Sequence, residues 1–180
     1  MKKQTLLMLG DSLVEWGDWA VLLPELEVIN RGKAGELTEE LSARLFLELD
    51  KVAEPDLILI MSGTNNLLNG SPYFTSIFQT LLPRLVLLCQ NSTIIVNSIL
   101  PMRLQGLAQD SIAAANQELR ATARQSNCHF LDVTGPFNES CLPITRPGFL
   151  NDGVHLSTLG YQIWAKEISR FCLELPCPAA

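Results

Sequence analysis

Hydrophobic and polar positions fall in alternating blocks along this chain. Short continuous apolar runs occupy Thr5 to Leu9, Leu26 to Asn30, Leu57 to Met61, Thr93 to Leu100 and Cys128 to Val133. Several are closed by turn formers: Gly10, Gly32, Ser62-Gly63 and Pro101. Runs this short, bounded in this way, fit strands buried on both faces. The segments between them carry a helical period. Leu41, Leu45, Leu49 and Val52 recur at spacings of four and three, which places them on one helix face that ends before Pro55. Pro72 to Gln90 is a long apolar helical segment that Pro83 is expected to kink. Asp110 or Ser111 can cap a helix through Arg124, with Ile112, Ala115, Leu119 and Ala123 on one side. Ser157 can cap the last helix, where Ile163, Trp164, Ile168 and Phe171 form a stripe.

Strands and helices that alternate in this way predict right-handed βαβ units on a parallel sheet. The expected fold class is α/β: a three-layer α/β/α, flavodoxin-like five-stranded parallel sheet with helices on both faces. Five helices are expected beside the five strands. Residues 1–180 read as a single domain, without internal repeats or a linker. Two longer loops stand out, Pro101 to Gln109 and Thr134 to Asn151, and the second leads into Asp152.

Composition narrows the function classes. The hydrophobic fraction is 47% and the charged fraction 18%, the balance of a compact protein rather than a disordered one. Net charge is -6, with no Lys/Arg cluster, which argues against nucleic acid or an anionic membrane as partner. No apolar run reaches the ~20 residues a membrane span needs. The start, Met1-Lys2-Lys3 before Leu6 to Leu9, is read as a first strand rather than a signal peptide, so a cytoplasmic location is expected. The five cysteines form no C-x-x-C pair, so no metal site is expected from them. They are expected to be reduced thiols, and only Cys172 and Cys177 are close enough in sequence to suggest a local disulfide.

In open parallel sheets, ligands bind outside the carboxyl ends of the strands. Four polar clusters fall at such positions. Asp11-Ser12 follows the first strand, Gly32 to Gly35 the second, and Gly63 to Asn66 the third, while Asp152 to His155 follows the loop after the fifth. A serine hydroxyl is a poor nucleophile unless a base lies within hydrogen-bond reach and an orienting group holds that base. Of the two histidines, His129 lies in an apolar strand and reads as a core or edge residue. His155 has a carboxylate three residues ahead, across the turn Asp152-Gly153-Val154. Taken alone, Ser12 could simply cap a helix. Gly35 offers a backbone N–H unscreened by a side chain, and Asn65 a side-chain amide. Both are suited to an oxyanion, and both are also ordinary turn residues.

Jointly, these blocks resemble the SGNH hydrolase (GDSL esterase/lipase) family. Gly10-Asp11-Ser12-Leu13 is similar to that family's first block, whose serine is the nucleophile. Gly35 falls where the second block places an oxyanion glycine. Gly63-Thr64-Asn65 is similar to the third block, whose Asn is an oxyanion donor. Asp152-Gly153-Val154-His155 matches the fifth block, which supplies the other two members of a triad. The stretch from Asn116 to Phe130 is also similar to the family's helix before the last strand. One position departs: Asn66 stands where the family more often has Asp. The G-x-S-x-G elbow of α/β-hydrolases is absent.

The resemblance implies a serine esterase or acylhydrolase with Ser12, Asp152 and His155 as catalytic residues and an oxyanion hole made by Ser12, Gly35 and Asn65. It implies no cofactor, no metal, and a small-molecule ester as partner. Short-chain or small soluble esters are expected, with thioesters and lysophospholipids also open. Trp16 and Phe149 are candidates for a substrate pocket, together with Trp19, Phe137, Leu142 and Ile144. A catalytically silent member of the fold, or a flavodoxin-like binding module, is the alternative. The third strand, however, ends in Ser62-Gly63-Thr64-Asn65 rather than a phosphoacceptor Asp, and no phosphate-cradling glycine motif occurs.

Overall fold

The computed structural model describes residues 3–102, 107, 110–141 and 147–175. Five strands form one sheet: β1 (Thr5–Gly10), β2 (Glu27–Gly32), β3 (Leu57–Met61), β4 (Thr93–Asn97) and β5 (His129–Leu131). All pairings are parallel and the order is β2-β1-β3-β4-β5. This is the doubly wound arrangement expected from the sequence. The direction in which successive strands are added reverses between β1 and β3, which opens a crevice at the carboxyl ends of those strands.

Side-chain alternation along each strand builds two separate cores. Leu7, Leu9, Ile58, Ile60, Ile94 and Val96 face one layer. That layer consists of α3 (Thr38–Leu49), α5 (Thr75–Leu88) and α6 (Ser111–Gln125). Leu6, Met8, Leu57, Leu59, Met61 and Ile95 face the other. It contains α1 (Ser12–Glu15), α2 (Trp19–Leu22), α7 (Thr134–Cys141) and α8 (Thr158–Glu174). The short α4 (Thr64–Leu68) follows β3. Strands buried on both faces explain why the sequence shows continuous apolar runs instead of alternation.

The described residues hold eight α-helices where the sequence pattern suggested five. The extra ones, α2, α4 and α7, are four to eight residues long, too short to display a periodic stripe. The loop expected from Thr134 onward therefore begins as a helix. Helix α5 runs through Pro83, the position of the expected kink. Pro83 and Gln79 both lie on the exposed face, so the carbonyl that loses its partner can bond to water. The segment instead divides earlier, at a 3-10 turn over Pro72–Phe74. Strand β4 stops at Asn97, short of the expected Leu100. There Asn116 of α6 captures both the N–H and the carbonyl of Ile99, at 2.7 and 3.0 Å.

The last helix starts as expected, with Ser157 Oγ accepting from Gly160 N at 3.3 Å. Its Trp164 is fully buried, and Nε1 donates to Asn97 Oδ1 at 3.0 Å. This bond locks α8 to the end of β4. Among the described residues, no helix is long and apolar enough to cross a membrane. Replacing Trp164 with Phe removes the donor and leaves the buried Asn97 oxygen unpaired. The expected cost is about 1–3 kcal/mol in urea denaturation. An unchanged midpoint would show that this bond does not fasten α8.

Candidate active site

Helix α1 is a single turn and cannot satisfy its own backbone. Side chains from three other elements do so. Tyr161 Oη donates to Leu13 O at 3.0 Å. Trp19 Nε1 donates to Val14 O at 2.7 Å. Asn30 Nδ2 donates to Val14 O and Glu15 O, both at 3.0 Å. At the other end, Asp11 caps the turn by accepting from Leu13 N at 3.0 Å. The sequence reading missed Asn30 and Tyr161 because their roles depend on contacts 16 and 148 residues away. Ser12, the first residue of this turn, is thus held on a helix that its neighbours fix in place.

Ser12 Oγ lies 3.1 Å from His155 Nε2, and His155 Nδ1 lies 2.6 Å from Asp152 Oδ2. The other carboxylate oxygen, Asp152 Oδ1, accepts from Val154 N and His155 N, each at 2.9 Å. A clasp closes around this turn. Leu150 N donates to His155 O at 2.7 Å, Ser157 N donates to Gly148 O at 3.0 Å, and Phe149 bridges Leu156 antiparallel. Burial alone would raise the Asp152 carboxyl. The hydrogen bonds from the His155 ring and from the Val154 and His155 N–H groups, with the imidazole charge, outweigh it and hold the carboxyl below its usual range.

The second block meets the third across the mouth of the crevice. Gly35 has φ +75, a left-handed conformation, and a Cβ there would meet no protein atom within 4 Å. Glycine is favoured here by the backbone, and the space where a side chain would stand is open. The next residue, Glu36, is buried and held in a two-point ion pair by Arg44, at 2.5 and 2.7 Å. Arg44 also donates to Arg31 O at 2.8 Å, so the whole turn is tied to β2. Asn65 Nδ2 gives one hydrogen to Glu36 O at 3.0 Å, which orients the amide and leaves its second N–H for another acceptor. Gly63 begins this third block at φ +125, and a Cβ on it would lie 2.1 Å from the Phe74 ring.

Asn66, the departure from the usual Asp, does not disturb the loop. Its Oδ1 accepts from Thr38 N at 3.0 Å and from Thr38 Oγ1 at 3.1 Å, and its Nδ2 donates to Glu39 at 2.8 Å. Thr38 in turn shares a hydrogen bond with Ser62 at 2.9 Å. An amide rather than a carboxylate is what Glu39 needs opposite it. Asn66→Asp is therefore expected to lose about 1–2 kcal/mol at pH 8, with recovery in acid or when Glu39→Gln is added. Denaturant midpoints that show no such rescue would contradict this pairing.

Asp11 is 1% exposed, and its Oδ2 has no hydrogen-bond partner among the described residues. The Thr64 hydroxyl lies near, but it also faces Met61 Sδ at 3.8 Å and does not satisfy the carboxylate. Desolvation pushes Asp11 up to about 6, against the lowering effects of the Leu13 N–H, the Thr64 hydroxyl and His155, while Glu36 adds to the rise. Burial, aided by the Asp11 charge, raises the nearby Tyr161 to about 12. For an acid whose folded pKa is raised, the stabilising proton is lost as pH climbs from about 4 through 6. Asp11→Asn keeps the capping oxygen and removes the charge. It is expected to gain stability, on the order of 3 kcal/mol at most, at pH 8 and almost none at pH 3. Equal shifts at both pH values in urea titrations would exclude a buried charge as the cause.

The remaining expected residues divide. Trp16 is 53% exposed and stacks on the His155 ring, with centroids 4.2 Å apart and planes at 26°. Phe149 is instead a buried core residue packed on Phe137 at 5.8 Å, where the clasp needs an apolar anchor. Trp19 and Phe137 are core residues too. Leu142 and Ile144 lie outside the described residues, as does Cys177 with its suggested link to Cys172. His129 is exposed on edge strand β5, where its ring meets Phe171 edge-on. It lines a cavity of about 220 Å³ with Cys89, Thr93 and Asn127, at the amino ends of β4 and β5, opposite the Ser12 edge. Among the described residues, no group of three or more His, Cys, Asp or Glu could hold a metal ion.

Comparison with known proteins places these blocks in context. Residues 8–163 match the GDSL-like lipase/acylhydrolase family. Over 184 aligned residues the chain is 25% identical to the platelet-activating factor acetylhydrolase IB subunit alpha1 of Rattus norvegicus, covering 97% of this chain and 77% of that protein. A GDSL-like lipase from Bacteroides thetaiotaomicron superposes with a TM-score of 0.72 at 20% identity, covering 95% of this chain and 88% of that one. A catalytic mutant of an acetylxylan esterase from Geobacillus stearothermophilus gives 0.73 at 22% identity, with 93% of each chain covered. At such identities the solved structures show a shared fold.

Proposed function

The chain belongs to the GDSL-like lipase/acylhydrolase family, and on that premise we propose that it cleaves carboxylic esters with Ser12 as nucleophile, His155 as general base and Asp152 as its orienting carboxylate. One observation carries this reading: the continuous relay from Ser12 Oγ to His155 Nε2 at 3.1 Å and from His155 Nδ1 to Asp152 at 2.6 Å. The order of chemistry follows from it. Ser12 Oγ bonds to the ester carbonyl carbon while its proton passes to His155 Nε2. Asp152 keeps the proton on Nδ1 and stabilises the imidazolium. The C–O bond to the alcohol breaks as His155 returns the proton to the leaving oxygen. Water, deprotonated by the same imidazole, then attacks the acyl-enzyme and releases the acid and Ser12.

The oxyanion is assigned to the N–H groups of Ser12 and Gly35 and the free N–H of Asn65. Three features support this assignment: the start of α1, the open space beside Gly35, and the tether from Asn65 to Glu36. The preferred substrate is a small ester with a short acyl group, handled within the single domain of residues 1–180. The acetyl specificity in the name of the rat relative supports a short acyl chain. So does the openness of the site, where Trp16 is half exposed and Asp152 is exposed.

A fluorophosphonate probe should label Ser12 of the wild-type chain, and Ser12→Ala should abolish both labelling and hydrolysis of a short nitrophenyl ester. A triad member removed alone is expected to cost at least about 10⁴ in kcat. Ser12→Ala retaining wild-type turnover would overturn the assignment. A wild-type chain that is neither labelled nor active would point to a silent binding module.

A further inference from the structure

The hydrogen bonds of His155 hold the ring only by its edges, at Ser12 Oγ and Asp152 Oδ2. Together with the bond to Cβ they set its mean position. Small swings of its two torsions still move the ring along its normal, and a contact on its face narrows them further. Trp16 supplies that contact, with ring centroids 4.2 Å apart and planes at 26°.

The placement follows from α1 itself. Trp16 caps the carboxyl end of the turn, and its N–H donates to Ser12 O at 3.0 Å. Four residues apart, Ser12 and Trp16 share one helix face. One short, clamped element therefore presents both the hydroxyl that needs the base and a surface on which the base lies. Core packing does not explain the indole, which is 53% exposed and belongs to neither apolar core.

We propose that Trp16 is a positioning residue for His155: its indole holds the imidazole face-on in register with Ser12 and stabilises the positive charge the ring gains when it takes the Ser12 proton. This inference rests on the proposed role of His155 as base. A cation over an indole face is attracted by the ring quadrupole, most strongly where water is excluded from between them. The other groups that act on His155 are Asp152, hydrogen-bonded from its own turn, and Ser12 and Asp11 from the end of β1, with Glu36 acting on Asp11 in turn. None of them contacts the ring face.

Tryptophan fluorescence tests the stack without requiring activity, because a histidine ring in contact with an indole quenches its emission. At fixed pH, His155→Gln should raise the emission of the otherwise wild-type chain. In a Trp16→Phe background, which retains Trp19 and Trp164, the same change should leave emission unaltered. An equal rise in that background would overturn the inference. In kinetics with a short nitrophenyl ester, Trp16→Leu should lower kcat by roughly tenfold or more with little change in KM, and Trp16→Phe should restore most of it, since phenylalanine still offers a ring face. Wild-type kcat in Trp16→Leu, or a loss wholly in KM, would reduce Trp16 to a substrate contact. A wild-type enzyme that shows the quench but neither hydrolyses ester nor reacts with fluorophosphonate would instead sink the reading of Ser12 and His155, leaving the stack a structural contact only.

Discussion

Everything at the candidate site depends on a helix too short to stand alone. Four residues cannot close enough backbone bonds to repay the ordering of a turn. The carbonyls of Leu13 and Glu15 rely on Tyr161 and Asn30, and that of Val14, which has only a long 3.4 Å bond from Gly17 N, is completed by Trp19 and Asn30. These three side chains come from the last helix, the next short helix and the second strand. The placement of Ser12 is therefore a property of the assembled domain rather than of the segment that contains it.

The same logic governs the rest of the edge. A parallel sheet sends every strand's carboxyl end the same way, so loops far apart in sequence must meet there. Each loop is then stiffened by bonds to its neighbour. Arg44 pins Glu36, Glu36 orients Asn65, and Asn66 locks Thr38 and Ser62 between the second and third blocks. The Phe149–Leu156 clasp does the equivalent for the turn that carries Asp152 and His155. Preorganisation of this sort is what a site needs when its donors must meet charge only as it develops.

Two carboxylates near His155 are treated in opposite ways. Asp152, exposed and met by three N–H groups, is held in its charged form. Asp11, buried next to Ser12 with one oxygen unpartnered among the described residues, resists ionisation. Burial therefore makes Asp11 the harder of the two acids to ionise, with no change of residue type.

The sequence by itself determined the sheet, the long helices and the identity of the blocks. Apolar runs flanked by Gly, Pro and Ser mark buried strands. The stripes Ile112, Ala115, Leu119 and Ile163, Trp164, Ile168 mark helices, because their period is a local property. The motif residues Ser12, Gly35, Asn65, Asp152 and His155 were legible too, since turn chemistry at strand ends is written in adjacent residues. The short helices α2, α4 and α7 were not legible, because one or two turns leave no clear periodic trace. Nor could the sequence separate Trp16 from Phe149. Both are aromatic and both neighbour a motif, but one lies on the imidazole and the other in the core. Only the tertiary structure decided that, because burial and ring contact arise between elements that meet only after the sheet has closed.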